Sequence, residues 1–112
     1  MLHYHGQADS IITSANSPRY YDHVSEVMGL APSELDDFYR FFRISGMDHC
    51  SGGVGAWHVG QTTAGATSED AQDNVLLTMV AWVEEGEAPE TVTGTKFVNV
   101  SPILLSLPMG VW

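Results

Sequence analysis

Phe38-Tyr39-Arg40-Phe41-Phe42-Arg43-Ile44, running on into Ser45-Gly46-Met47-Asp48-His49, is the stretch that decides the fold. Its density of aromatic residues reads as a strand buried on one or both faces, and Gly46 ends it. In an α/β sheet, functional groups gather in the loops at the carboxyl ends of parallel strands. A histidine just beyond such a strand is therefore worth following. The question is whether a second parallel strand stands beside it.

Upstream, Met1 to Tyr4 reads as the end of a strand, and Gly6 to Ser10 as a turn. Asn16-Ser17-Pro18 is a helix start, with Ser or Asn as cap and proline in the first turn, where its missing N–H costs nothing. Tyr20, Val24, Val27 and Met28 form an apolar stripe, Gly29 is the stop, and Ser33 to Asp36 reads as a short helical turn. Downstream, a glycine-rich loop runs from Asp48 to Ala66. A second helix follows from Ser68 to Glu85, capped by Ser68 or Asp70. Its face is Val75, Leu76, Met79, Val80 and Val83, taken as a core face, and Gly86 stops it. Ala88-Pro89 then turns the chain away. The order strand, helix, strand, helix is a parallel crossover unit of the α/β class. Two strands do not close such a sheet, so the sequence reads as a piece of a larger domain, roughly its last fifth or quarter.

Composition narrows the partners. The chain has 112 residues, 44% of them hydrophobic and only 16% charged. An average domain carries about 25% charged residues, so much of this surface is apolar or meant to be covered. With four basic residues and a net charge of −10, the chain repels polyanions. Nucleic acid and anionic membrane surfaces are excluded as partners on that ground. The acidity itself reads as solubility. No run approaches the ~20 apolar residues of a membrane span. Met1 to Asp9 offers neither the basic nor the apolar segment of a signal peptide. A single cysteine, Cys50, can neither close an internal disulfide nor hold a thiolate zinc site alone.

Asp9 follows the first strand and His49 the second, so both open on one edge of the sheet. An aspartate there can accept from one imidazole nitrogen while the other nitrogen takes a proton from a nucleophile. Against this stand two plainer readings, a turn or cap aspartate and a solvated histidine. Ser51 is a poor nucleophile candidate. Where a nucleophile elbow has a glycine two residues before the serine, this chain has His49, and no helix follows. A metal reading draws on His3 and His5, alternate residues of one strand face, with Asp9, His49, His58 and Cys50. It lacks any helical His-x-x-x-His spacing, and no metal or cofactor is assigned.

Four segments carry a family resemblance. His3-Tyr4-His5-Gly6-Gln7-Ala8-Asp9-Ser10-Ile11-Ile12 resembles the acid-bearing loop of the tannase and feruloyl esterase family. Ser17-Pro18-Arg19-Tyr20-Tyr21-Asp22-His23-Val24 is similar to its next helix. The run from Phe38 through His49-Cys50-Ser51-Gly52-Gly53 resembles its histidine loop. Asp73-Asn74, with Ala81-Trp82-Val83-Glu84-Glu85-Gly86-Glu87-Ala88-Pro89, resembles its last helix and exit. The resemblance covers about Leu2 to Val98.

The resemblance implies an α/β-hydrolase fold and a carboxylic ester hydrolase acting on phenolic-acid esters through a Ser-His-Asp triad. Asp9 matches the family's acid and His49 its histidine. It further implies that Cys50 pairs with a cysteine just before the catalytic serine, outside this chain. That pairing fits an oxidising compartment and a secreted protein. Residues 1–98 would then be the C-terminal part of a catalytic domain. The serine, the oxyanion hole and the calcium-binding lid would lie upstream of Met1, leaving this chain inactive alone. Residues 99–112 do not match the family's usual finish and read as an atypical tail. The alternative is a non-catalytic product that binds another protein through its uncovered sheet edge.

Overall fold

A computed structural model describes residues 1–61, 70–100 and 103–109. Strands β1 (Leu2–Gly6) and β2 (Arg40–Ile44) pair in parallel, with Leu2 beside Arg40 and Gly6 beside Ile44. Helix α1 (Asn16–Met28) and the short α2 (Pro32–Leu35) lie between them in the chain. The crossover unit expected from the sequence is therefore present. β2 begins two residues later than expected, because the Phe38 and Tyr39 N–H groups donate to the Leu35 carbonyl at 3.1 and 2.8 Å. Those bonds close the α2 turn and are not free for a ladder.

The start of α1 differs from expectation. Ala15 occupies the N-cap without a side-chain bond. Ser17 is buried inside the first turn, and its hydroxyl reaches His3 and His5 on β1. Both α1 and the later helix end on a left-handed glycine, Gly29 and Gly86, as expected.

The second helix is shorter than the expected Ser68–Glu85. A 3-10 turn, Ala71–Asp73, is capped by Asp70, and α3 proper runs Val75–Glu85. The Asn74 side chain accepts from the N–H groups of Leu76 and Leu77, a stronger start than Asp70 offers this helix. Ser68 lies outside the described residues. Two further strands appear that the sequence reading missed. β3 (Gly94–Val100) and β4 (Ile103–Met109) form an antiparallel pair, so most of the stretch taken as an atypical tail is strand. The His58–Thr95 bridge ties that pair back to the loop after β2.

The two faces of the β1–β2 sheet differ. Ile44, with Met47, Val59 and Val92, forms a buried cluster, against which Tyr4, Phe42, Trp57 and Val75 pack. The opposite face carries His3, His5 and Phe41 under α1, where Tyr21 meets the Tyr39 ring edge-on at 5.2 Å. The helix stripes, expected as core faces, are so only in part among the described residues: Val75 packs against the cluster, whereas other members stand in solvent. Val27 is 72% exposed on α1, and Leu76 and Val83 are 66% and 70% exposed on α3. No described element lies across these residues, so their apolar area stays in solvent.

Candidate active site

The acid loop and the histidine loop are held backbone against backbone. Past β1, the Gln7 N–H donates to the Ile44 carbonyl and the Ala8 N–H to the Met47 carbonyl, both at 2.9 Å. Gly6 makes this approach possible. A Cβ there would lie 2.3 Å from the carbonyl oxygens of both Met47 and Asp48. Beyond Gly6 the chain turns, and Asp9 Oδ1 accepts from the Ile11 and Ile12 N–H groups, each at 2.8 Å. One carboxylate oxygen is thereby committed to its own loop, an Asx-type turn. The other faces the second loop.

The histidine loop closes on itself. Gly55 N–H donates to the Gly46 carbonyl at 2.9 Å, and Asp48 N–H to that of Gly52 at 3.2 Å. Cys50 adopts the left-handed region with φ 59°, at a cost of about 1–3 kcal/mol for a residue with a side chain. Gln61 braces the loop from outside. Its Nε2 donates to the carbonyls of Cys50 and Trp57, and its Oε1 accepts from the N–H of buried Val59. The loop that carries His49 is thus anchored in the apolar core.

The outcome is a hydrogen bond of 2.9 Å between His49 Nδ1 and Asp9 Oδ2. The carboxylate accepts, so Nδ1 carries the proton and a neutral ring leaves Nε2 as a free base. Among the described residues nothing bonds to that Nε2. The His49 side chain is 48% exposed, whereas that of Asp9 is 1% exposed. One partner is fixed and the other open to solvent. Burial pushes the Asp9 carboxyl upward, but the Ile12 N–H, the His49 bond and the Ile11 N–H together hold it well below the usual carboxylate range. Asp9 therefore stays ionised, as an orienting group must.

The two residues singled out at the strand ends are thus in contact. Cys50 is an exposed free thiol beside them. Ser51 is exposed in a bend, and no helix starts in the ten described residues after it. His3 and His5 share a strand face, with Ser17 between them. His58 stands apart, stacked on Trp57 at 3.6 Å. The described residues hold no group of three or more histidine, cysteine or acidic side chains arranged for a metal. Sequence reasoning missed one member of the site, His5, whose Nε2 lies 3.1 Å from Asp9 Oδ2. The signal was present, since a turn brings a residue four positions back against its own strand end.

No helix among the described residues is long and apolar enough to cross a membrane. A family model described as tannase and feruloyl esterase matches residues 1–103, reaching past Val98 to the end of β3 and the first residue of β4. The chain is 59% identical over 96 residues to a probable feruloyl esterase B-1 of Neosartorya fischeri, covering 86% of this chain and 18% of that one. It is 56% identical over 99 residues to a probable feruloyl esterase B-2 of Aspergillus terreus, covering 88% and 19%. A crystal structure of feruloyl esterase B from Aspergillus oryzae superposes with a TM-score of 0.85 at 51% identity, over 98% of this chain and 22% of that one. A second Aspergillus oryzae structure, of an esterase, gives 0.87 at 46% identity with the same coverage. The chain therefore spans about a fifth of the length of the relatives it matches.

Proposed function

The chain belongs to the tannase and feruloyl esterase family, and from that premise we propose that it supplies the acid and the base of a carboxylic ester hydrolase. The observation that carries the reading is the Asp9–His49 bond at 2.9 Å with Nε2 left open. The nucleophile is a serine in the remaining length of such an enzyme. Its Oγ attacks the carbonyl carbon of a phenolic-acid ester while His49 Nε2 takes the hydroxyl proton. The tetrahedral intermediate collapses by breaking the bond to the alcohol, which leaves with the proton His49 returns. Water then repeats the sequence on the acyl-serine, releasing the acid. Throughout, Asp9 fixes the His49 tautomer and stabilises the imidazolium.

Cys50 fits this reading as half of a disulfide to a cysteine beside that serine. The bond would tie base to nucleophile, and it calls for an oxidising, secreted setting. The exposed stripes of α1 and α3 and the open edges of the β1–β2 sheet are where the rest of such a fold would dock.

Two assays test the reading. The 112-residue chain alone, given an activated phenolic ester, should show no rate above its His49→Ala variant. A His49-dependent rate would contradict a nucleophile located elsewhere. Grafted in place of the matching segment of the Aspergillus oryzae feruloyl esterase B, the same chain should sustain hydrolysis of a hydroxycinnamate methyl ester. A folded graft that is inactive would contradict the assignment of acid and base to this chain.

A further inference from the structure

Asp9 does not serve His49 alone. Its Oδ2 has a second imidazole partner, His5 Nε2 at 3.1 Å. A line of hydrogen bonds runs back from His5 beneath α1. His5 Nδ1 meets Ser17 Oγ at 2.6 Å, Ser17 Oγ meets His3 Nε2 at 3.0 Å, and His3 Nδ1 meets Tyr39 Oη at 2.8 Å. The line is internal. His5 and Ser17 are each 8% exposed and Tyr39 is 1% exposed.

The chemistry of these groups leaves little choice of direction. A carboxylate only accepts, so His5 Nε2 carries a proton. With the ring neutral, His5 Nδ1 is an acceptor and the Ser17 hydroxyl donates to it. The Ser17 oxygen is then free to accept from His3 Nε2–H, and His3 Nδ1 accepts from the Tyr39 hydroxyl. Burial, with His5 adding to it, lowers the His3 pKa, and burial together with Tyr20 raises that of Tyr39, so these two stay uncharged. Every donor in the string then points toward Asp9, and no polar atom in it is left over.

Counted at the carboxylate, Oδ1 takes two backbone N–H groups and Oδ2 takes two imidazole N–H groups. That fills the roughly four lone-pair positions a carboxylate offers. Without His5, Oδ2 is held by His49 alone, a half-exposed side chain that the reaction itself moves between charged and neutral forms.

We propose that His5 is a positioning residue for the reaction. Held by Ser17, His3 and Tyr39, it locks the Asp9 carboxylate so that His49 Nδ1 keeps one orientation while Nε2 exchanges protons. The inference rests on the reading of Asp9 and His49 as acid and base. A mispositioned catalytic group costs on the order of 100-fold in rate. Loss of one of four anchors should cost about 10- to 100-fold in kcat, with KM nearly unchanged, because His5 bonds to Asp9 and Ser17 and not to His49.

The test uses the active graft and four variants of this chain. His5→Phe keeps a planar ring and removes the donor. His5→Gln keeps an N–H at about the distance of Nε2. Asp9→Asn and His49→Ala report on the underlying reading. The expected result is a kcat loss of about 10- to 100-fold for His5→Phe, largely restored in His5→Gln, at constant KM. Imidazole nitrogen NMR of the unsubstituted graft should place the His5 proton on Nε2. If Asp9→Asn and His49→Ala leave the rate intact, the reading of the pair fails whatever His5 does. If they abolish it and His5→Phe stays within about twofold of the parent, the positioning role is overturned. A bare His5 Nε2 in the spectrum overturns it even where His5→Phe does not fold.

Discussion

The two faces of the β1–β2 sheet are built from opposite kinds of interaction. Below, Ile44 packs with Met47, Val59 and Val92, contacts that add up in proportion to area and have no direction. Above, His3, Ser17, His5 and Asp9 are joined atom to atom, at distances of 2.6–3.1 Å. The apolar face fixes where the strands and the bracing residues of the histidine loop lie. The polar face aims one carboxylate. A fault below should therefore lower stability and leave the chemistry as it is, whereas a fault above should lower the rate first.

Gly6 sits at the end of β1, where both faces depend on it, and its substitution should have the largest effect. In the active graft, Gly6→Val drives a side chain into two carbonyl oxygens and should separate the loops, with at least about 3 kcal/mol lost in denaturant unfolding and activity lost with it. In the active graft, Ile44→Ala should cost about 2–5 kcal/mol in the same measurement while leaving kcat within a few-fold in whatever remains folded. If instead it removed activity at full stability, the division between the faces would not hold.

The acid limb of stability sharpens the contrast. The Asp9 carboxyl is held below its ordinary value of 3.8, so over that range the unfolded chain binds more protons than the folded one. Its contribution is complete above about pH 5 and is lost as pH falls toward the folded value. Asp9→Asn should flatten the fall in stability below pH 4, whereas Ile44→Ala should shift the whole curve without changing that slope. Tyr21→Phe should have the smallest effect. It removes the 2.5 Å bond to Asp36 and costs about 1 kcal/mol. Burial and Asp36 push the Tyr21 hydroxyl up to about 12, so its contribution holds below pH 10 and is lost as pH rises from there through about 12.

Much of the site was legible because its causes are local in the chain. Gly29 and Gly86 stop helices wherever they are placed, and Asp9 and His49 each follow a strand by a few residues. Their meeting needed only the parallel pairing that the crossover implies. Ser17 was misread as a cap because Asn-Ser-Pro looks the same whether the hydroxyl turns to its own helix or to a neighbouring strand. His5 was seen as one of two alternating histidines, but its bond to Asp9 depends on how tightly the turn at Gly6 closes. The early start given to α3 followed Ser68 and Asp70; Asp70 caps the 3-10 turn, while Asn74 caps the helix itself. The β3–β4 pair was missed because Lys96-Phe97-Val98-Asn99-Val100 breaks the polar–apolar alternation of a half-buried strand at Phe97-Val98. Its partner, Ile103–Met109, contains Pro108 and reads poorly as strand until the pairing is known.

The central claim is that Asp9 and His49 work as one unit, and a double-mutant cycle on the active graft tests it most directly. Each of Asp9→Asn and His49→Ala should lower kcat/KM by about 10³- to 10⁴-fold, and the double variant should fall no further than about threefold below His49→Ala alone. Losses that multiply, or a near-normal rate in either single variant, would contradict it.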